Sequence, residues 1–350
     1  MRDKSLQIVS LSKRLECIVE LAGRGDTLCD VGCDHAHVPI RLLQNGQYRR
    51  AIGMDVIDGP LGKAKGNLEL YGMTDDVELR LSNGLDAFHA GEAETLVVTG
   101  MGGTLMREIL MREPEKTRSF SALVLGPQSD PDRVRAAVRE LGFSLEDERL
   151  IYEDGKYYPV LRAAVDARNR KQVQQRREPE LPGLRSPEPA LFPPEIPEEL
   201  CREAEDLFGP LLLRRRDPVL HEFLVRRIAV LKKIWNSVSR AAEGQKAPGK
   251  ESPEQKCPER ESPEQKYPEQ KYPEQKSPEQ KYPEQKCPKQ ILLEQDHSEQ
   301  KYLEQNNPEQ KRQEKKHLEQ RHLQKKREIE HSLEVYQAAL KVFLQTEVIT

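Results

Sequence analysis

Thr27-Leu-Cys-Asp-Val-Gly-Cys-Asp-His-Ala-His-Val-Pro39 is the stretch whose reading decides the fold. A short apolar run, Leu28 to Val31, carries an acid at Asp30 and stops at Gly32; a helix-like segment follows from about Val38 to Leu43. Strand, tight turn and helix in that order make the first crossover of a parallel α/β sheet. Such sheets hold ligands at the carboxyl ends of their strands, where the strand order reverses. Gly32 lets a ligand approach the backbone closely, and the helix start offers free N–H groups. Taken alone, the stretch also reads as a structural turn, because short glycine motifs recur widely.

Of the 350 residues, 36% are hydrophobic and 33% charged, and the apolar ones are unevenly placed. The first 163 residues can build a core; much of the remainder cannot. Formal net charge is -3, so no global basic field advertises nucleic acid. Through Ala163 there are 21 Lys+Arg against 26 Asp+Glu, a net of -5, which leaves +2 for the rest. The six cysteines, at 17, 29, 33, 201, 257 and 287, form no regular framework, and no secretory signal is evident. That pattern suits reduced thiols in a cytoplasm. No apolar run approaches a membrane span. A soluble, cytoplasmic monomer is expected.

Hydrophobic periodicity predicts an opening helix over residues 6 to 22, with Lys13 and Arg14 in its basic patch. Strands follow at Thr27 to Val31, Ala51 to Asp55, Val77 to Leu81, Thr95 to Thr99 and Ala122 to Leu125, alternating with helices. The helix from about Pro131 takes Ser129 or Asp130 as its cap. Two closing strands, Leu145 to Tyr152 and Tyr157 to Ala163, flank the hairpin signal Glu153-Asp-Gly-Lys156. The fold class is therefore α/β, a Rossmann-like sheet with an antiparallel last strand, over residues 1–163. Residues 164–197 hold seven prolines and read as a linker.

Residues 198–243 return to helix. Leu220, Leu224, Ile228, Leu231, Trp235 and Val238 form a seam of the coiled-coil kind. From Ser252 to Lys326 the chain falls into fifteen pentads, seven of them carrying Pro-Glu-Gln-Lys. Frequent proline and little to bury predict a largely disordered insert over 244–327, with helix resuming past Pro308. A second seam, Ile329, Leu333, Tyr336, Leu340 and Phe343, marks residues 328–350 as the returning arm of an antiparallel hairpin.

Asp30 and Gly32, Asp55 and Asn83 follow strands one, two and three, where a nucleoside ligand needs them. A dinucleotide site requires Gly-x-Gly-x-x-Gly for its pyrophosphate. Here Asp34 stands at the second glycine, and a carboxylate repels phosphate. A nucleoside without phosphates fits better: the cationic S-adenosylmethionine tolerates an acidic cleft.

Together these stretches resemble the bacterial tRNA adenine-N1-methyltransferases that modify adenine 22, the TrmK family. The resemblance rests on Leu11-Ser-Lys-Arg-Leu15, Asp30-Val-Gly-Cys-Asp-His-Ala36, Asp58-Gly-Pro60, Asn83-Gly-Leu85, Gly100-Met-Gly-Gly103 and Tyr152-Glu-Asp-Gly-Lys156. Gly209-Pro-Leu-Leu212 with Asp217-Pro218 resembles the start of the family's helical domain. It implies a class I methyltransferase sheet using S-adenosyl-L-methionine, with tRNA as partner. Asp30, Gly32 and His35 would line the methionine end of the cofactor, and Asp55 would accept from the ribose hydroxyls. Asn83 and Gly84 would lie beside the cofactor adenine, with Gly100, Met101 and Gly102 flooring the pocket. Asp34 matches the acid suspected of a direct catalytic role. Gly126 departs from the polar residue expected before Pro127, and the pentad insert has no counterpart in compact members.

Competing readings attach to the same residues. Asp34 and His35 read also as caps of the following helix. Cys29, Cys33, His35 and His37 match no zinc spacing, and no metal is expected. Arg226, Lys233 and Arg240 recur every seventh residue and, with Lys13 and Arg14, are candidate RNA phosphate contacts; the alternative is a solvated coiled-coil flank. At the level of function the alternatives are a different acceptor on the same fold, or a non-catalytic binding protein using the repeats. Thr99-Gly-Met-Gly-Gly103 lacks the Asn/Asp-Pro-Pro-aromatic tetrad of enzymes acting on exocyclic amines, which favours a ring nitrogen.

Overall fold

The computed structural model describes residues 8–165, 190–242 and 308–344. Most of the pentad insert and most of the linker lie outside these residues. Among the described residues, strands β1 (Thr27–Val31), β2 (Arg50–Asp55), β3 (Val77–Leu81), β4 (Thr95–Thr99), β5 (Ala122–Gly126), β6 (Phe143–Glu153) and β7 (Lys156–Val165) form one sheet. Their order is β3-β2-β1-β4-β5-β7-β6. The first five run parallel, and β7 lies antiparallel between β5 and β6. The order reverses between β1 and β4, so the crevice at their carboxyl ends is the place for a ligand.

Helices α1 (Lys13–Ala22), α2 (His37–Gln44), α3 (Asp58–Tyr71), α4 (Gly103–Arg112), the short α5 (Pro114–Arg118) and α6 (Pro131–Glu140) cover the sheet. The central strands are mostly apolar, as strands buried on both faces must be, with Asp30 of β1 the charged exception. Cys29, Val31, Leu96 and Val98 point into one apolar layer, and Leu28, Val97 and Val124 into the other.

The opening helix starts at Lys13, seven residues later than the periodicity predicts. Ser12 Oγ accepts the Leu15 N–H and caps it. Val9, ahead of the cap, is buried and tied through its backbone to Gln44 and Arg41. At α6 Asp130, one of the two expected caps, holds the cap position, but it makes no side-chain cap bond: its carboxylate accepts from Ser129 Oγ.

The region predicted as one helical arm is three helices: α7 (Glu198–Phe208), α8 (Pro210–Arg214) and α9 (Pro218–Ala242). Gly209 breaks the first junction. At the second, Asp217 Oδ1 accepts the Leu220 N–H and restarts the helix. The last helix, α10 (Pro308–Leu344), begins well inside the expected insert, where the pentads lose their prolines.

The chain divides into two compact units, with boundaries after Lys232 and before His331. In the first, Leu220 and Leu224 pack with Val335, Ala339 and Val342, and His221 meets Phe343 while Phe223 meets Tyr336, so α9 and α10 run antiparallel there. The buried stripe on α10 here is Val335, Ala338, Ala339 and Val342; of the predicted seam Ile329 is buried, while Leu333, Tyr336, Leu340 and Phe343 are half-buried. Alanines let helices approach closely, so the larger neighbours flank the seam. In the second unit, Trp235 Nε1 donates to Glu330 at 3.3 Å and Lys326 lies 5.2 Å from the indole centre. No helix among the described residues is long and apolar enough to cross a membrane.

Candidate active site

Asp30, next to last in β1, is buried, and among the described residues its Oδ1 has no hydrogen-bond partner. Burial, and then the Asp55 carboxylate, push its pKa up to about 7. An acid so placed can accept from a donor or face a cation. Gly32 follows at φ 76°, a left-handed backbone that favours glycine, and a methyl there would also press on Met101 Cε at 3.0 Å. Backbone N–H groups of Gly32 and Cys33 both donate to the Met54 carbonyl, which sews the turn onto β2.

Asp55 organises what comes next. Its Oδ1 accepts the Ile57 N–H at 3.1 Å and its Oδ2 the Asp34 N–H at 3.3 Å. The predicted ribose acid is thus also an anchor of the Asp34 loop. Asp34 itself is exposed at φ 45°, and His35 Nε2 lies 3.5 Å from its Oδ2. Capping does not account for Asp34 or His35. The cap residue of α2 is Ala36, in the left-handed region, with no side-chain cap bond.

Asn83 stands exposed after β3, and Gly84 turns at φ 63° against Ile109. Ser82, which sequence reading passed over, builds this turn: its Oγ donates to the Gly84 carbonyl and accepts the Ala87 N–H, and its own N–H donates to the Asp55 carbonyl. Val56, Ile57 and Leu81 are also additions. They stay 61%, 59% and 56% exposed at the β2–β3 edge, where Asp55 pairs with Leu81. Exposed apolar side chains following an acid were the available signal, since such a patch wants a planar ligand.

Gly100, at φ 80°, faces open space, and Gly102 approaches Ser129 Oγ. Gly103 admits no side chain: a Cβ would lie 2.3 Å from the Asp130 carbonyl oxygen. The Gly103 N–H donates to the Ser129 carbonyl and the Gln128 N–H to the Met101 carbonyl, so the two loops close one wall. Gly126 has a packing reason, because a Cβ there would press on Ile18 of α1 at 3.2 Å.

Among the described residues no group of three or more His, Cys, Asp or Glu is placed to hold a metal ion. Cys29 is in the core, and Cys33 is buried with its thiol pushed up by burial and so kept protonated.

Three of the five basic candidates gather at the β6–β7 hairpin, which extends past the carboxyl end of β5. The Lys13 N–H donates to Glu153 at 2.7 Å, and the Arg14 guanidinium lies 5.1 Å from the Tyr158 ring centre. Arg226 lies 5.5 Å from the Tyr152 ring centre and pairs with Glu222. Lys233 is exposed in the second unit, and the Arg240 side chain lies outside the described residues.

A methyltransferase-domain family model matches residues 11–161. The tRNA (adenine(22)-N(1))-methyltransferase of Bacillus subtilis is 27% identical over 235 residues, 67% of this chain and 88% of that protein. The crystal structure of the B. subtilis enzyme aligns with a TM-score of 0.53. A Streptococcus agalactiae structure described as of the NADB-Rossmann superfamily is 30% identical, covering 66% of this chain and 88% of that one, at a TM-score of 0.53. A Streptococcus pneumoniae structure in complex with S-adenosyl-L-methionine is 28% identical, covering 64% and 91%, at 0.52. The chain belongs to the NADB-Rossmann superfamily, its residues 11–161 match a methyltransferase domain, and over about two thirds of its length it is similar to the tRNA (adenine(22)-N(1))-methyltransferase of B. subtilis.

Proposed function

We propose that this chain transfers a methyl group from S-adenosyl-L-methionine to N1 of adenine 22 in tRNA. The observation that carries the reading is the pairing of two acids in different surroundings. Asp30 is buried with an orphaned oxygen, while Asp34 is exposed and held out by a left-handed backbone. One suits the cofactor's ammonium group, the other a reacting base.

The residues present fit that cofactor. Asp30, Gly32 and His35 hold its methionine end, and Asp55 has lone pairs left for the ribose hydroxyls beside its two backbone bonds. Asn83 and Gly84, with Val56, Ile57 and Leu81, bracket the adenine; Gly100, Met101 and Gly102 form the floor. When bound, S-adenosylmethionine supplies an electrophilic methyl group. Asp34 accepts from the N6–H of the target adenine, turning N1 toward that methyl, and its charge offsets the cation that forms on the ring. Lys13, Arg14 and Arg226 meet tRNA phosphates beside the cleft; Lys233 and Arg240 continue the stripe in sequence. We place this activity in the cytoplasm, in a monomer whose described cysteines are free thiols.

Incubating the protein with tRNA and radiolabelled cofactor, then digesting to nucleosides, tests the acceptor. N1-methyladenosine is the expected product; label in protein, or in an exocyclic amine, contradicts the reading.

Asp30 adds a pH dependence. In the free protein the neutral acid prevails below about pH 7, whereas a bound ammonium group favours the ionised form. Binding then releases a proton below that pH, so affinity rises with pH by up to about tenfold per unit and levels off above it. Calorimetry from pH 5 to 8 should show this rise, and Asp30→Asn should flatten it. A flat profile in the unaltered protein contradicts the assignment.

A further inference from the structure

Asn67 lies on α3, outside every motif discussed so far, and reaches back to the loop that carries Asp34. Its Nδ2 donates to the His35 carbonyl oxygen at 2.9 Å and lies 3.3 Å from His37 Nε2. A carbonyl oxygen only accepts, so the first bond settles which end of the Asn67 amide faces the loop. The second bond then requires His37 Nε2 to be bare, with the ring proton on Nδ1.

The loop needs such a hold. Asp34 at φ 45° and Ala36 at φ 57° are both non-glycine residues in the left-handed region, and His35 sits between them. Residues keep that conformation only where their surroundings impose it. Asp55 secures the loop at the Asp34 N–H, burial secures Ala36, and Asn67 secures the peptide between them. The His35 and His37 rings stack with centres 5.4 Å apart. Burial and the neighbouring His35 lower the pKa of His37, consistent with a neutral ring that accepts from Asn67.

We propose that Asn67 is a positioning residue: its amide clamps the His35 carbonyl and the Nδ1-protonated tautomer of His37, and thereby aims the Asp34 carboxylate at the reacting base. The inference rests on the catalytic reading of Asp34.

Asn67→Leu keeps the size and removes both donors. Single-turnover methyl transfer should fall about ten- to a hundredfold, the scale of a misplaced catalytic group, while cofactor and tRNA affinities and the thermal midpoint stay near the unaltered values. Nitrogen-15 NMR of labelled histidine supplies a readout that general destabilisation does not move. The unaltered protein should show His37 with its proton on Nδ1, and Asn67→Leu should release the ring to a mixture of tautomers. A proton on Nε2 in the unaltered protein overturns the proposal without any variant, and decides it even if Asn67→Leu fails to fold. An unchanged rate in Asn67→Leu, alongside a slow Asp34→Asn, overturns the proposal alone; an unchanged rate in both overturns the catalytic reading beneath it.

Discussion

Asp34→Asn should slow single-turnover methyl transfer about a hundred- to a thousandfold, roughly 3–4 kcal/mol at the barrier, the usual loss when a charge aimed at the transition state is removed. The fold should survive. Asparagine is among the non-glycine residues most at ease with positive φ, so the φ of 45° is kept. No helix cap is lost, because α2 begins at Ala36 without a side-chain cap bond. The Asp34 N–H that donates to Asp55 belongs to the backbone and stays. The amide oxygen still accepts from the adenine amino group, but carries no charge to offset the ring cation. Rapid-quench measurement, with cofactor and tRNA affinities measured alongside, separates these effects. A wild-type rate would leave the reacting base to other groups.

The second large effect concerns the joint between the sheet and the helical appendage. Arg135 on α6 and Glu148 on β6 form an ion pair at 2.7 Å with both side chains only 1% exposed. Each also serves a helix end. Arg135 donates to the carbonyls of Asp206 and Leu207 at the end of α7, and Glu148 accepts the Leu211 N–H at the start of α8. Positive charge meets a carboxyl terminus and negative charge an amino terminus, each the favourable sense of the helix dipole. Gly209 makes the approach possible: at φ 95°, a Cβ would fall 2.7 Å from Glu148 Oε2 and 2.8 Å from the Arg135 guanidinium. Arg135→Met should therefore destabilise by about 3–5 kcal/mol, since it strands a buried carboxylate. Replacing both partners with apolar residues should not restore stability fully, because the backbone groups at 206, 207 and 211 lose their partners. Urea unfolding with amide exchange over α7 and α8 reads both effects; a loss below about 1 kcal/mol in Arg135→Met contradicts this account.

What sequence reading could and could not reach follows from range. The β1 turn was legible because apolar run, acid, glycine and helix start are all local. The start of α1 was misplaced because Leu6 and Val9 share the helical period, yet Ser12 caps a helix that begins after them. Asn67 was invisible: its partners His35 and His37 are some 30 residues away, and nothing nearby on α3 marks it. Nothing local marks Arg135 and Glu148, because their backbone partners at 206, 207 and 211 lie more than 60 residues away. On α10 the period was legible but not the face, because periodicity cannot say which stripe a partner helix takes when Ala338 and Ala339 allow a closer one.

The central claim is methylation at one ring nitrogen of one base, and N1-methyladenosine cannot form a normal base pair. Reverse transcription of a tRNA transcript incubated with the protein and S-adenosylmethionine tests it most directly. The account predicts a cofactor-dependent stop at adenine 22, absent when that adenine is replaced by guanosine and strongly reduced with Asp34→Asn. Transcription running through adenine 22 after incubation with folded, cofactor-binding protein, or a stop at another position, would contradict it.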